Sequence, residues 1–228
     1  MLEIISSIIR FFNSNSGRRI AMARPRNIPR QQRSKDTFDR VLAAAARLFG
    51  ELGYAATTTN KIAEAAGISV GTLYHYVGDK DALLSALAER HLADAAARIA
   101  AAFDRLRAQE PDLATSLRTV IEAIVHLHID EPRLHQLLFD WTPRSAETLA
   151  QLRTAEHAMA RETAWHMQRL GVAAEHRELT AQLLVSGLEA QVHRAIIDAE
   201  VPIDAEVLID VLTRLWTNAL GSAKQSEP

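Results

Sequence analysis

The run TTNKIAEAAGISVGTLYHYV, residues 58–77, constrains this chain more than any other stretch. It reads as two short helices joined by a tight turn. The Thr58 hydroxyl can cap the first helix by accepting a bond from a free backbone N–H. Ile62, Ala63 and Ala66 recur at helical spacing and give that helix a buried face. Gly67 stands where the turn calls for a positive φ. Ile68 plugs the corner, Ser69 caps the second helix, and Leu73 and Tyr76 point inward. Ala63, four residues before Gly67, is small enough for the helices to cross closely, and Leu73, six after it, closes the core. This is the pattern of a helix-turn-helix, whose second helix enters the major groove of DNA. The plainer alternative is a helical hairpin that never touches nucleic acid, and the flanking sequence weighs against it.

On the N-terminal side lies RVLAAAARLFGELGYAATT, and on the C-terminal side DKDALL. With KIAEAAGISVGTLYHYV between them, residues 37–84 resemble the N-terminal domain of TetR/AcrR-family transcriptional repressors. The likeness runs in register and without a gap over about a fifth of the chain. One position departs: Val77 stands where most members carry Phe, and valine can close the same corner. The resemblance implies an all-α protein with an N-terminal three-helix helix-turn-helix domain followed by a helical ligand-binding and dimerisation domain. The expected division is a disordered basic arm over residues 1–35, the DNA-binding domain over 36–84, the effector and dimer domain over 85–222, and a disordered tail over 223–228.

Charge is distributed as such a protein needs. Residues 1–90 hold 13 Lys/Arg against 8 Asp/Glu, a balance of +5, while residues 91–228 hold 13 against 20, a balance of −7. One end can thus meet phosphate and the other is repelled by it. Arg18, Arg19, Arg24, Arg26, Arg30, Arg33 and Lys35 form a stretch without acidic residues, read as a flexible arm suited to phosphate or the minor groove. The absence of cysteine excludes disulfides, zinc–thiolate sites and thiol nucleophiles, and is compatible with the reducing cytoplasm. The opening MLEIISSIIRFF is too short and too interrupted to span a membrane, and Met22 looks the more natural start, so residues 1–21 are read as an upstream extension. No membrane partner, cofactor or metal is expected.

Along the chain, Phe38, Val41, Leu42, Ala45, Leu48 and Phe49 mark a first helix over residues 37–52, ended by Gly53. Asp79 caps a helix that runs uninterrupted by Gly or Pro over residues 80–109, about 45 Å at 1.5 Å per residue. Further helices are expected over residues 113–129, 132–139, 145–170, 176–199 and 204–220, with Trp141 in a loop.

The resemblance supplies residue roles. Thr58, Thr59 and Asn60 would meet phosphate at the start of the first motif helix. Ser69, Val70, Gly71 and Thr72 would present the start of the recognition helix to base edges. Tyr74 and His75 would contact phosphate, and Lys80 would clamp the backbone. The recognition helix carries no Arg, Asn or Gln for bidentate reading, so specificity would lean on Asn60, the arginine arm and DNA shape. The last two long helices are apolar over a wide arc, which calls for cover on two sides. They are read as the homodimer interface, through Leu184, Leu188, Val192, Leu208, Leu212 and Trp216. An effector pocket is placed at His128, Phe139, Trp141, Glu156, Met159, Thr163 and Met167. For His128 a hydrogen-bonded core histidine is the competing reading, and Glu156 would be costly to bury unless paired or solvated.

Together these features describe a DNA-binding regulator. It would be a homodimer on a palindromic double-stranded operator, most simply a repressor released by a small-molecule effector. No HExxH, Gly-rich phosphate loop or GxSxG elbow supports an enzyme. A helical scaffold with a non-reading hairpin is the other class, and salt-dependent, sequence-selective DNA binding would separate the two.

Overall fold

A computed structural model describes residues 28–130, 132–141, 146–173, 175–198 and 201–222. The expectations for residues 1–27 and for the tail from residue 223 lie outside the described residues. Nine α-helices account for the described architecture: α1 Ile28–Leu52, α2 Thr59–Ala65, α3 Val70–Tyr74, α4 Lys80–Gln109, α5 Leu113–Ile129, α6 Pro132–Trp141, α7 Ala146–Leu170, α8 Arg177–Ile196 and α9 Ala205–Ser222. Among the described residues no helix is long and apolar enough to cross a membrane.

Two compact units divide the chain. Among the described residues, one holds those from 28 through Ala93 together with 133–141, and the other holds those from Asp94 through Pro132 and from 146 onward. α4 therefore gives its first half to one unit and its second half to the other. In the first unit α1 turns Val41, Leu42, Ala45, Leu48 and Phe49 into a core shared with Ile62, Ala63, Leu73, Leu83, Leu84 and Leu87. Three leucines of α6, Leu134, Leu137 and Leu138, join this same core. The sequence reading had grouped α6 with the effector domain, because chain order alone cannot show which core an amphipathic helix will cover.

α1 begins at Ile28, nine residues ahead of the expected start at Thr37, so residues 28–35 are helical and not part of an arm. The Thr37 hydroxyl donates to the Arg33 carbonyl at 2.8 Å, the back-bond of a residue inside a helix. Pro29 fits the first turn, where a missing N–H costs nothing. Gly53 ends α1 with φ +80°. α4 opens as expected, the Asp79 carboxylate accepting from the Ala82 N–H at 2.7 Å. α6 continues to Trp141, which is helical instead of lying in a loop.

The second unit packs α5, α8 and α9 around Ile121, Val125, Leu188, Val192 and Ile209. Two of its helices, α5 and α9, start at side-chain caps: Asp112 accepts from the Thr115 N–H at 2.8 Å, and Asp204 from the N–H groups of Glu206 and Val207 at 2.9 and 3.2 Å. On the surface, Arg118 of α5 pairs with Glu122 at 2.8 Å, with Glu206 of α9 at 2.7 Å, and also with Asp210. One guanidinium thereby ties α5 to α9.

Candidate nucleic-acid interface and ligand pocket

The helix-turn-helix forms as its residues dictate. Thr58 has extended backbone geometry and its hydroxyl accepts from the Lys61 N–H at 3.3 Å. α2 buries Ile62 and Ala63. Gly67 takes φ +68°, and the Ile68 N–H reaches back to the Ala63 carbonyl at 3.0 Å, closing the turn. At that φ a side chain would be strained, which is why the position favours glycine. Ser69 then caps α3: its Oγ accepts from the Thr72 N–H at 3.0 Å and lies 2.8 Å from the Thr72 hydroxyl. Leu73 is wholly buried and holds α3 onto the core.

With Leu73 turned inward, α3 presents its other face. Ser69, Gly71, Tyr74 and His75 are exposed, and Val70 and Thr72 are half-buried. Tyr74 is 52% exposed, and its phenol lies 3.2 Å from the Thr59 hydroxyl, linking the start of α2 to the end of α3. Thr58 and Asn60 are exposed beside it. The expected reading residues are thus brought onto two adjacent short helices. Val70 packs partly against the core. Tyr76 stacks on Phe38 with centroids 5.8 Å apart, as a core residue should.

Lys80 sits differently from a free clamp. Its ammonium donates to the Tyr54 carbonyl at 2.8 Å and lies 4.0 Å above the centre of the Tyr54 ring. The Tyr54 phenol in turn donates to Asp81. Thr57 was not singled out from the sequence. It is buried, and its hydroxyl is within hydrogen-bond reach of the carbonyls of Leu48 at 3.0 Å and Gly53 at 2.8 Å. As the first of three successive threonines, Thr57–Thr59, it gave no signal of this role.

In the second unit the helices enclose a cavity of about 40 Å³. Met159, Thr163 and Met167 line it, as the sequence reading placed them. The other pocket residues do not join them. His128 is buried, but its Nδ1 is 2.9 Å from the Ile124 carbonyl and its Nε2 is 3.4 Å from the Glu189 carboxylate, so it is a partnered core histidine. Burial pulls its pKa down, yet the Glu189 carboxylate more than offsets this and the pKa is raised. Glu156 is exposed. Phe139 is 53% exposed and belongs to the other unit. The Trp141 side chain lies outside the described residues.

His166 is the pocket residue that the stripe of α7 did not reveal. It lines the cavity and is buried, and neither ring nitrogen has a hydrogen-bond partner among the described residues. Its Nε2 lies 3.7 Å from the Glu162 carboxylate, whose nearer partner is Arg107 at 2.5 Å. Burial pushes the His166 pKa down to about 4, with Arg169 and Arg107 adding to the fall and Glu162 and Glu110 opposing it. The imidazole is therefore neutral at ordinary pH.

The residues assigned to a dimer interface are turned inward. Leu184, Leu188, Val192, Leu208 and Leu212 are buried in the chain's own core, and half-buried Trp216 donates to Gln191 at 3.0 Å. The outward apolar faces are instead Leu179 and Leu183 on α8 and Val207, Val211 and Leu215 on α9. Both helices are apolar over a wide arc, so periodicity could not say which side the chain would cover itself.

Comparison with known proteins agrees with this geometry. The family described as bacterial regulatory proteins, tetR family, matches over residues 41–87. The chain is 48% identical over 44 residues to the HTH-type transcriptional regulator HbdR of Aromatoleum sp. (strain CIB), covering 19% of either protein. It is 36% identical over 116 residues to the HTH-type transcriptional repressor Rv1474c of Mycobacterium tuberculosis, covering 48% of this chain and 59% of that one. The matches to these curated relatives thus span less than two thirds of their length. Among solved structures, a TetR/AcrR-family transcriptional regulator of Thermobifida fusca superposes with a TM-score of 0.63 at 20% identity, over 80% of this chain and 97% of that one.

Proposed function

We propose that the chain, whose residues 41–87 match the tetR family of bacterial regulatory proteins, is a dimeric repressor released from a palindromic operator by a small molecule. The observation that carries the reading is α3. It is capped by Ser69, pinned by Leu73, and offers Gly71, Tyr74 and His75 to solvent next to Thr58, Thr59 and Asn60. A short helix so held can enter a major groove N-terminus first. Gly71 carries no side chain to obstruct the approach, and the Thr72 methyl suits a thymine methyl. Tyr74, His75 and the α2 hydroxyls suit phosphate, where they set register and not sequence. Lys80 serves here as a support: it fixes the start of α4 and leaves two N–H donors for the DNA backbone.

Two such heads address a two-fold site only if two chains pair. The exposed stripes Leu179–Leu183 and Val207–Val211–Leu215 are the surfaces proposed to meet their copies. Effector bound in the second unit would favour one arrangement of α4, the helix both units share, and so change the spacing of the heads. A coupling of about 1–3 kcal/mol changes operator affinity about 5–150-fold.

Fluorescence anisotropy with the region upstream of the protein's own gene tests this. Binding should be sequence-selective and should weaken steeply between 50 and 200 mM salt, as counterion release requires. His75→Ala should weaken all sequences alike. A chain that ignores every fragment of that region at low salt would refute the proposal.

A further inference from the structure

The cavity of the second unit has a wall of unusual uniformity. Of sixteen lining residues thirteen are apolar, and the other three are Ser116, Thr163 and His166. No lining residue is Asp, Glu, Lys or Arg. A charged ligand group would therefore lose its hydration without a counter-charge in the wall. The nearest ions already have partners, although the buried Nε of Arg169 has none among the described residues. Glu162 pairs with Arg107 at 2.5 Å, and Arg169 donates to the carbonyls of Glu110 and Pro111 at 3.1 and 2.8 Å.

Against this wall His166 stands out. A buried polar group without a partner is costly, and such groups in native proteins call for an explanation. Phe103 stacks on its ring at 5.8 Å and Trp165 meets it edge-on at 4.7 Å, so aromatic rings hold the imidazole on two sides. A neutral imidazole has one donor and one acceptor nitrogen.

We propose that the cavity takes an uncharged, mainly hydrocarbon molecule whose single hydroxyl, alcoholic or phenolic, hydrogen-bonds the ring of His166. A hydroxyl both donates and accepts, so it satisfies the imidazole in either tautomer. A carboxylate or an amine would bring a charge that the wall does not answer. The proposal rests on the reading that the second unit binds the effector. The cavity holds about 40 Å³, so anything larger than a few waters must widen it. Met159 and Met167, with unbranched side chains, are the wall residues best able to give way. Widening is also what lets the ligand act: it binds the opened state better than the closed one and shifts the population toward it.

Calorimetric titration of the full chain with 4-ethylphenol, ethylbenzene and 4-ethylbenzoate tests this, with ring-nitrogen NMR of ¹⁵N-histidine as the site readout. The phenol should bind about tenfold more tightly than ethylbenzene, the factor one satisfied buried hydrogen bond supplies, and should move the His166 ring signals. 4-Ethylbenzoate should bind more weakly than the phenol. His166→Phe should keep ethylbenzene binding and lose the preference for the phenol, while His166→Gln, which still donates and accepts, should retain it. Equal affinity for phenol and ethylbenzene, benzoate as the tightest probe, no binding of any probe, or a preference that survives His166→Phe would each overturn the proposal. Operator binding measured on the same preparations separates the two claims. DNA binding without a phenol preference sinks only the ligand chemistry. A phenol preference without DNA binding sinks only the regulatory reading.

Discussion

Replacing His166 by phenylalanine should change how the protein responds to acid. The folded chain keeps this imidazole neutral down to about pH 4, whereas the unfolded chain takes up a proton near the ordinary value of 6.5. Between those two values the unfolded state binds more protons, so stability falls as pH falls. For a shift from 6.5 to about 4, linkage gives a loss of about 2 kcal/mol between pH 7 and pH 5. His166→Phe deletes this loss, keeps a ring against Phe103, and removes two buried nitrogens that lack partners. The variant should therefore be at least as stable as the parent at pH 7, and its advantage should grow by about 2 kcal/mol at pH 5. Urea unfolding at several pH values and fixed protein concentration measures this. Fixed concentration matters because a dimer is stabilised by mass action. The difference between the two proteins is the quantity to follow, since His128 contributes with the opposite sign. If the two curves run parallel from pH 7 to pH 5, the argument about His166 is wrong.

Three further outcomes follow from the geometry. Glu189→Gln should remove the carboxylate that raises the His128 pKa, so its cost should be present below pH 6.5 and fade as pH rises through the raised value, read by thermal melts across pH. Ser69→Ala deletes the cap of α3 and should cost about 1 kcal/mol of stability in urea titration, together with a loss of operator affinity. Leu183 and Val211 are exposed in the single chain, so Leu183→Glu with Val211→Glu should leave the fold intact by circular dichroism but yield monomers in sedimentation. Leu188→Ala, 1% exposed, should instead cost about 2–5 kcal/mol of stability.

What the sequence disclosed was local chemistry. Thr58, Gly67, Ser69, Asp79, Asp112 and Asp204 each announce a helix end, because capping needs a particular side chain at a particular step. The reading helices and α4 could be placed for that reason. What stayed hidden needed tertiary information. Leu184 and Leu183 are neighbours in sequence and equally apolar, yet one is buried and the other 59% exposed. Nothing local distinguishes them; the packing of α5 and α9 does. Glu156 seemed to belong to a buried stripe because helical spacing fixes a face but not how far the neighbouring helices extend along it. His166 was passed over for the converse reason: a histidine beside tryptophan is not conspicuous until the cavity around it is known.

The seat of Lys80 has a consequence for how any signal would travel. Its ammonium is held by the carbonyl and the ring of Tyr54, and Asp81 receives the phenol of the same tyrosine. The first turn of α4 is thus riveted to the segment that leads into α2. A twist of α4 cannot slip past that segment; it must drag Tyr54 along. The reading head should then swing like a blade fixed to its shaft, keeping its own shape while its bearing on the duplex changes.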